Sequence, residues 1–482
     1  MTTQNPEYGR PALFVDGKWI TDTPRSGEVI NPATGEVLAS FPIAEPEHIE
    51  LALSSALSGF EVWSNMAPDA RARIMNNAAA AIREKSEESA RHMTLELGKP
   101  LADSRAEVEN CAALLEWCAK AATEQQDRPL DARPGFESLK VRKEPIGPVA
   151  AFAPWNFPAS LAARKMASAL AVGCSVIVKP AEETPMSFIA IVKALDFAGL
   201  PRGVVNLLIG DPAQISTQLI ASPVIRKVAF TGSTTVGQKL AAMAGAEAKP
   251  SVMELGGHAP VVVFDDADID RAIGLSVVAK ARNAGQVCVA PTRYLVQDDV
   301  YDAFADGFAK AFGALKLGDG LQPDSQMGPV LSPARLEAVD ALVQDAVAKG
   351  ARLLTGGRRL NRPGNFYAPT VLADVPPEAR VMQEEPFGPI AVVNRFSTFE
   401  DAVSVANNTD FALGAYAFTG SQETADRISD ALDAGMVGIN GYSVVFLDSP
   451  LGGRRYSGFG SEGGYEGLDA YRITKFISQA VA

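Results

Sequence analysis

Two residues of this chain have types and neighbours suited to covalent chemistry. Cys288 lies in "NAGQVCVAPTR" among small residues, and Ala284, Gly285 and Ala290 leave room around its sulfur. Thirty-four residues earlier, "MELGGHAP" sets Glu254 next to Leu255 and two glycines, where a ligand and a mobile water can approach closely. A cysteine and a glutamate with no neighbouring histidine do not make a protease arrangement. They suit a thiol that forms a covalent intermediate and a carboxylate that later activates water. The plainer alternative for Glu254 is a surface or salt-bridged carboxylate. "APWNFP" holds Asn156 between Pro154 and Pro158, so its amide is a candidate oxyanion donor, or else a turn residue.

Two further motifs suit a phosphorylated ligand. "FTGSTTVG" follows an apolar run and opens a helical pattern, so Thr231, Gly232 and Ser233 offer free backbone N–H groups at a helix N-terminus. The glycine spacing is not GxGxxG and is by itself a weak dinucleotide signal. "VIVKPAEETP" ends another run with Lys179 and Glu182, a pair fit for ribose hydroxyls at the carboxyl end of a strand.

The elements that must position these residues can be read from periodicity. "LFVDGKWI" carries an Asp-Gly turn and predicts a hairpin, followed by amphipathic helices through "EHIELALSSALSGFEVW" and "ARIMNNAAAAIREKSEESARHMTLE". From "GPVAAFAPWNFP" onward, β-branched runs alternate with helical ones, first through "RKVAFTGS" and again from "APVVVFDDADIDRAIGLSVVAKAR" to "PIAVVNRF". Such alternation implies βαβ units on parallel sheets, and two doubly wound α/β domains are the simplest account. "ESLKVRKEPIG" and "AYRITKFISQAVA" alternate polar and apolar residues and read as strands outside those units, with edge character suited to an oligomer contact. The acidic run "FDDADID" reads as a helix N-terminal cluster, where carboxylates favour the dipole.

Composition excludes some functions. A formal net charge of −13 disfavours nucleic acid or an anionic membrane as the main partner. No apolar run approaches the roughly 18 residues of a membrane span. No secretory signal is visible, and Cys111, Cys118 and Cys174 read as buried thiols, so a reducing, cytoplasmic compartment is expected. His48, His92 and His258 are scattered, no cysteine pair has metal spacing, and no metal is expected; His258 reads as structural.

Taken together and in order, "PWNFP", "KPAEETP", "FTGSTTVG", "MELGG", "GQVCVAPTR", "EEPFGP" and "GGRRYSGFGSEGG" resemble the NAD(P)-dependent aldehyde dehydrogenase superfamily, from about residue 12 to the C-terminus. The resemblance implies an α/β fold: a dinucleotide-binding domain from 1–122 and 146–254, a catalytic domain 255–447, and a small β oligomerisation arm and tail from 123–145 and 448–482. It implies Cys288 as nucleophile, forming a thiohemiacetal whose oxyanion is held by Asn156 and the Cys288 N–H. Hydride loss to the nicotinamide then leaves a thioester, and Glu254 activates the hydrolytic water, with Lys165 in support. The cofactor is expected to contact Pro154, Trp155, Lys179, Glu182, Gly232, Ser233, Leu255, Glu385 and Phe387. Glu182 would accept both adenosine-ribose hydroxyls and repel a 2′-phosphate, which predicts NAD over NADP as a preference. A homodimer or homotetramer is expected.

The substrate is read from Arg164, eight residues after Asn156, and Arg282, six before Cys288. In succinate-semialdehyde dehydrogenases, matching positions carry arginines that bind the substrate carboxylate. An acidic semialdehyde such as succinic semialdehyde is the leading expectation. Against it, Val444, Val445, Phe446 and Leu447 give the entrance loop an apolar character that favours a longer or aromatic aldehyde; an aromatic aldehyde with an acidic group satisfies both. A CoA-acylating relative is a further alternative, disfavoured by Glu254, and a catalytically idle protein on this fold is the last. Arg455 and Ser461 depart from the lysine and arginine common in the family and bear on tail or oligomer contacts.

Overall fold

The computed structural model describes residue 5 and residues 7–124 and 127–481. The first sheet has eight strands, and five of them, Val149–Phe152, Val176–Lys179, Val205–Leu207, Lys227–Thr231 and Ser251–Glu254, run parallel at its centre. Each is buried along nearly its whole length, as strands covered on both faces must be, hence their unbroken Val, Ile and Ala content. The predicted hairpin pairs Leu13 with Ile20 and adds to one edge, its turn formed by Asp16 and Gly17 at positive φ.

The register aligns the carboxyl ends of the central strands. Phe152 pairs with both Lys179 and Phe230, and Thr231 pairs with Glu254. The loops that follow therefore emerge side by side on one rim of the sheet, where open α/β sheets bind ligands. At the far edge, the short strand Gly458–Phe459 runs antiparallel to Ser251–Glu254 and returns the C-terminal segment to that rim.

The second sheet has seven strands; six are parallel and Arg352–Thr355 is antiparallel at one edge. Its strand Pro291–Gln297 begins directly after the Cys288 loop, which itself follows the helix Ile269–Ala281. Asp268 accepts from the Arg271 N–H at 3.0 Å, the capping role expected of that acidic run.

The two outlying alternating segments pair with each other. Phe136–Pro145 runs antiparallel to Arg472–Ala480, and a short strand Arg128–Pro129 completes a three-stranded arm. Phe136–Pro145 is thus the middle strand, and the edges belong to Arg472–Ala480 and the short Arg128–Pro129. A second hairpin, Ser26–Ile30 with Val37–Pro42, was not anticipated from the sequence pattern. Cys111 and Cys118, seven apart in "CAALLEWC" as on one helical face, lie in the long helix Leu101–Thr123. The long pattern ending "HMTLE" is two helices, Pro68–Glu84 and Ser86–Leu97. Cys111, Cys118 and Cys174 are buried, and no helix is long and apolar enough to cross a membrane.

Candidate active site

Cys288 sits where the chain leaves a helix through a tight, left-handed bend. Asn283, Ala284 and Gly285 all have positive φ, a conformation that costs a non-glycine residue on the order of 1 kcal/mol. The bend is held from within: Asn283 Nδ2 donates to Gln286 O at 3.2 Å, and Gln286 Nε2 donates to Asn283 O at 3.0 Å. It is held from outside by Asn156, whose Nδ2 donates to Gln286 O at 3.1 Å and whose carbonyl accepts from Asn283 Nδ2 at 3.0 Å. The proline-bounded loop and the cysteine loop are thereby tied together.

A cavity of about 210 Å³ opens over the rim of the first sheet, and Asn156, Cys288, Leu255, Glu385 and Phe387 line it. A second, of about 480 Å³, shares Pro154, Trp155, Thr231, Gly232 and Ser233 with the first and extends to Lys179 and Glu182. Trp155 and Phe387 meet edge to face with centroids 5.4 Å apart, and Phe387 is itself in the left-handed region. Lys179 and Glu182 pair at 2.7 Å across one helical turn's spacing.

Four helices start at this rim, and their N-termini differ; at Pro212–Ala221, Asp211 accepts from the N–H groups of Ala213 and Gln214. Buried Glu107 accepts from the N–H groups of Ala159 and Ser160, at the start of helix Ser160–Val172. Buried Glu96 accepts from those of Met186 and Ser187, at the start of Pro185–Phe197. Helix Thr234–Ala246 has no side-chain cap at Ser233, and its N-terminus faces the cavities. An external anion therefore finds one open helix dipole of the four.

Glu254 is buried, and neither of its carboxylate oxygens has a hydrogen-bond partner among the described residues. Burial, and secondarily the charge of Glu462, hold its carboxyl well above the usual range; Lys165 and Arg164 oppose this in part. Lys165 is fully buried on helix Ser160–Val172, pairs with Glu462 at 2.6 Å and donates to Thr231 Oγ1. Burial, followed by the charges of Glu385 and Glu254, pushes the Cys288 thiol up to about 12. Glu385 accepts from the Gly257 N–H at 3.0 Å, and burial raises its carboxyl to about 7.

Some expected residues are not among those that line these two cavities. Arg164 is buried against the Gly463 turn, where a Cβ on Gly463 would stand 2.2 Å from its Nη1. Arg282 is exposed, with its guanidinium 4.9 Å from the Phe157 ring centroid. Neither arginine makes an ion pair among the described residues. Phe446 is 54% exposed on the surface loop. His258 is buried, and neither ring nitrogen has a hydrogen-bond partner among the described residues.

Several contributors were not foreseen. Glu462 comes from the C-terminal segment, beyond any local pattern. Ser457 of "RRYSG" donates to Gly256 O at 2.6 Å, and its carbonyl accepts from Leu255 N at 3.0 Å, so this segment clasps the loop after Glu254. The tail contacts left open by Arg455 are made, through Asp433 and the Thr409 carbonyl. Glu96 and Glu107 stand eleven residues apart in the helical N-terminal region, and only a spacing linked to the two helix starts would have found them.

A parallel-sheet rim with a cysteine, an amide and an open helix N-terminus around one cleft is the arrangement of an α/β protein suited to a phosphorylated ligand. The chain belongs to the aldehyde dehydrogenase family, whose model matches residues 19–477. It is similar to 4-(hydroxymethyl)benzenesulfonate dehydrogenase TsaD1 of Comamonas testosteroni, 44% identical over 98% of each chain. It is also similar to the NADP-dependent succinate-semialdehyde dehydrogenase GabD of Escherichia coli K12, 38% identical over 97% of each chain. The crystal structure of succinate-semialdehyde dehydrogenase from Burkholderia pseudomallei superposes with a TM-score of 0.96 at 39% identity, covering both chains completely. Members of the family act on small aldehydes with NAD or NADP.

Proposed function

We propose that this enzyme oxidises an aldehyde carrying a carboxylate or sulfonate group to the corresponding acid, with Cys288 as nucleophile and NAD preferred. The observation that carries the substrate class is Arg282. It is an exposed guanidinium six residues before Cys288, seated on an aromatic ring and without an ion-pair partner among the described residues. Such a fork is suited to bidentate pairing with a carboxylate or sulfonate. The relatives named for a benzenesulfonate and for succinic semialdehyde share a terminal anion. An aromatic body on that substrate is compatible with exposed Val445 and Phe446.

The two linked cavities fit a dinucleotide. The uncapped N-terminus of Thr234–Ala246 would take its pyrophosphate, the Lys179–Glu182 pair its adenosine ribose, and Glu385 the second ribose beside Phe387. When bound, the nicotinamide supplies a hydride acceptor.

The chain's own groups supply the rest. The Cys288 sulfur adds to the aldehyde carbon: its proton passes to solvent, the C–S bond forms, and the carbonyl π pair becomes the oxyanion. Asn156 Nδ2 uses one N–H on Gln286 O and offers its second, together with the Cys288 N–H, to the resulting oxyanion. Loss of the carbon's hydride leaves a thioester on Cys288. Glu254, with two unpartnered oxygens, takes a proton from water as the hydroxyl adds to the thioester; the C–S bond then breaks, releasing the acid and the thiol. The burial that raises the Glu254 carboxyl also makes its carboxylate a stronger base than an exposed one.

A substrate panel tests this reading. It compares kcat/KM for succinic semialdehyde, 4-formylbenzenesulfonate and unsubstituted benzaldehyde in the parent enzyme, Arg282→Ala and Arg164→Ala, with and without CoA. The acidic aldehydes should lose at least 30-fold in Arg282→Ala while benzaldehyde changes less than 3-fold. Equal losses would remove the anion-binding role, and acyl-CoA formation would remove the hydrolytic one.

A further inference from the structure

The turn that carries the nucleophile accounts for its carbonyls in an uneven way. Gln286 O accepts from both Asn156 and Asn283, and Val287 O accepts from Ala290 N at 2.9 Å, closing a turn over residues 287–290. Cys288 O is packed against Gly257, where a Cβ would stand 2.1 Å from it. That leaves Val289 O, which accepts from the hydroxyl of Tyr416 at 2.7 Å. Tyr416 lies in the middle of the buried strand Gly414–Phe418, 1% exposed. Its ring meets Tyr442 edge to face at 4.8 Å, and the Tyr442 hydroxyl is 2.7 Å from Ser276 Oγ on the helix that leads into the cysteine loop.

We propose that Tyr416 is a positioning residue for the nucleophile, its hydroxyl fixing the turn so that the Cys288 backbone N–H faces the reacting carbonyl oxygen. The proposal rests on the reading of Cys288 as nucleophile. The physical reason is the geometry of the turn. The Cys288 N–H belongs to the peptide between Val287 and Cys288, and the orientation of that peptide is coupled through two residues to the plane that Tyr416 holds. Gly257 blocks the Cys288 carbonyl from one side but donates nothing to it; its N–H is committed to Glu385. Among the described residues, Tyr416 therefore supplies the hydrogen bond from a side chain to the part of the turn that follows the sulfur. Its ring is locked by Tyr442 and the strand, so the hydroxyl is set before substrate arrives. Preorganised donors of this kind act where charge develops in the transition state.

The test separates attack on a carbonyl from attack on saturated carbon. Acylation by p-nitrophenyl acetate builds an oxyanion next to the Cys288 N–H. Alkylation by iodoacetamide uses the same sulfur without forming an oxyanion. Tyr416→Phe removes the hydroxyl and keeps the ring. In this variant kcat for aldehyde oxidation and the rate of acylation by p-nitrophenyl acetate should both fall 10- to 100-fold. KM for the aldehyde and the iodoacetamide rate should stay within 3-fold of the parent. A Val289→Ala control, which keeps the carbonyl, should stay near the parent in all four. Equal losses in acylation and alkylation would overturn the proposal in favour of general loosening of the loop, and so would no loss at all. Failure of the parent enzyme to acylate at Cys288 would overturn the nucleophile reading, and this proposal with it, whereas normal acylation of both parent and variant would remove Tyr416 alone.

Discussion

Lys165 Nζ lies 2.6 Å from Glu462 Oε1, with both side chains buried, and this pair stands beside Glu254 at the rim of the first sheet. The lysine comes from the helix after the Asn156 loop and the glutamate from the C-terminal segment, so one ion pair joins ends of the chain about three hundred residues apart. It also sets the electrostatics of Glu254, which the Glu462 charge pushes up and the Lys165 charge pulls down.

Replacing Glu462 by glutamine leaves Lys165 a buried, unpaired cation. Loss of one partner of a buried pair costs about 3–5 kcal/mol, so the melting temperature should fall by several degrees. Removing an anion next to Glu254 eases its ionisation. The acid limb of the kcat profile should then move to lower pH, which stopped-flow or steady-state rates between pH 5 and 9 would reveal. An unchanged limb would mean that Glu254 does not feel this pair.

The thiol offers a second pH test. Burial and two nearby carboxylates raise the Cys288 thiol to about 12, so it is protonated at neutral pH in the absence of ligands. The rate of iodoacetamide alkylation should climb steadily through pH 9 without a plateau. Glu385→Gln removes the larger of the two electrostatic brakes on ionisation and should shift the profile to lower pH. A plateau near pH 7 in the parent would contradict the burial argument.

The proposed preference for NAD turns on Glu182. A like-charge contact with a 2′-phosphate at 4 Å is worth about 4 kcal/mol at an effective dielectric of 20. Lys179, 2.7 Å from Glu182, offsets part of it. Glu182→Gln should raise the ratio of kcat/KM for NADP over NAD by about 10- to 100-fold, a net of about 1.4–2.8 kcal/mol. A parent enzyme faster with NADP would overturn the preference outright, and the NADP-dependent relative makes that comparison worth doing first.

The sequence carried the parallel sheets because their strands are buried on both faces and alternate with helices, the pattern of α/β architectures. It carried the Asp16–Gly17 hairpin because that turn needs two residues at positive φ. The grouping of Asn156, Cys288, Glu385 and Phe387 around one cavity was expected from motifs, and the structure brings them together. Glu462 and Tyr416 were not legible. Their importance lies in partners far along the chain, and neither sits in a local spacing that demands it. The middle position of Phe136–Pro145 was missed for a related reason: alternation marks a strand but says nothing about which neighbours it acquires. The separation of Arg164 and Arg282, one buried by Gly463 and the other exposed on Phe157, likewise depends on tertiary packing.

The most direct test traps the covalent intermediate. Glu254→Gln keeps the shape of the side chain but cannot take the proton from water, so acylation should proceed and hydrolysis should stall. The variant is mixed with NAD and succinic semialdehyde, quenched in acid and digested for mass spectrometry. The peptide containing Cys288 should gain the mass of one acyl group, with about one NADH formed per active site in a burst and slow turnover afterwards. Sustained turnover at the parent rate, or a burst with no acyl group on Cys288, would contradict the account.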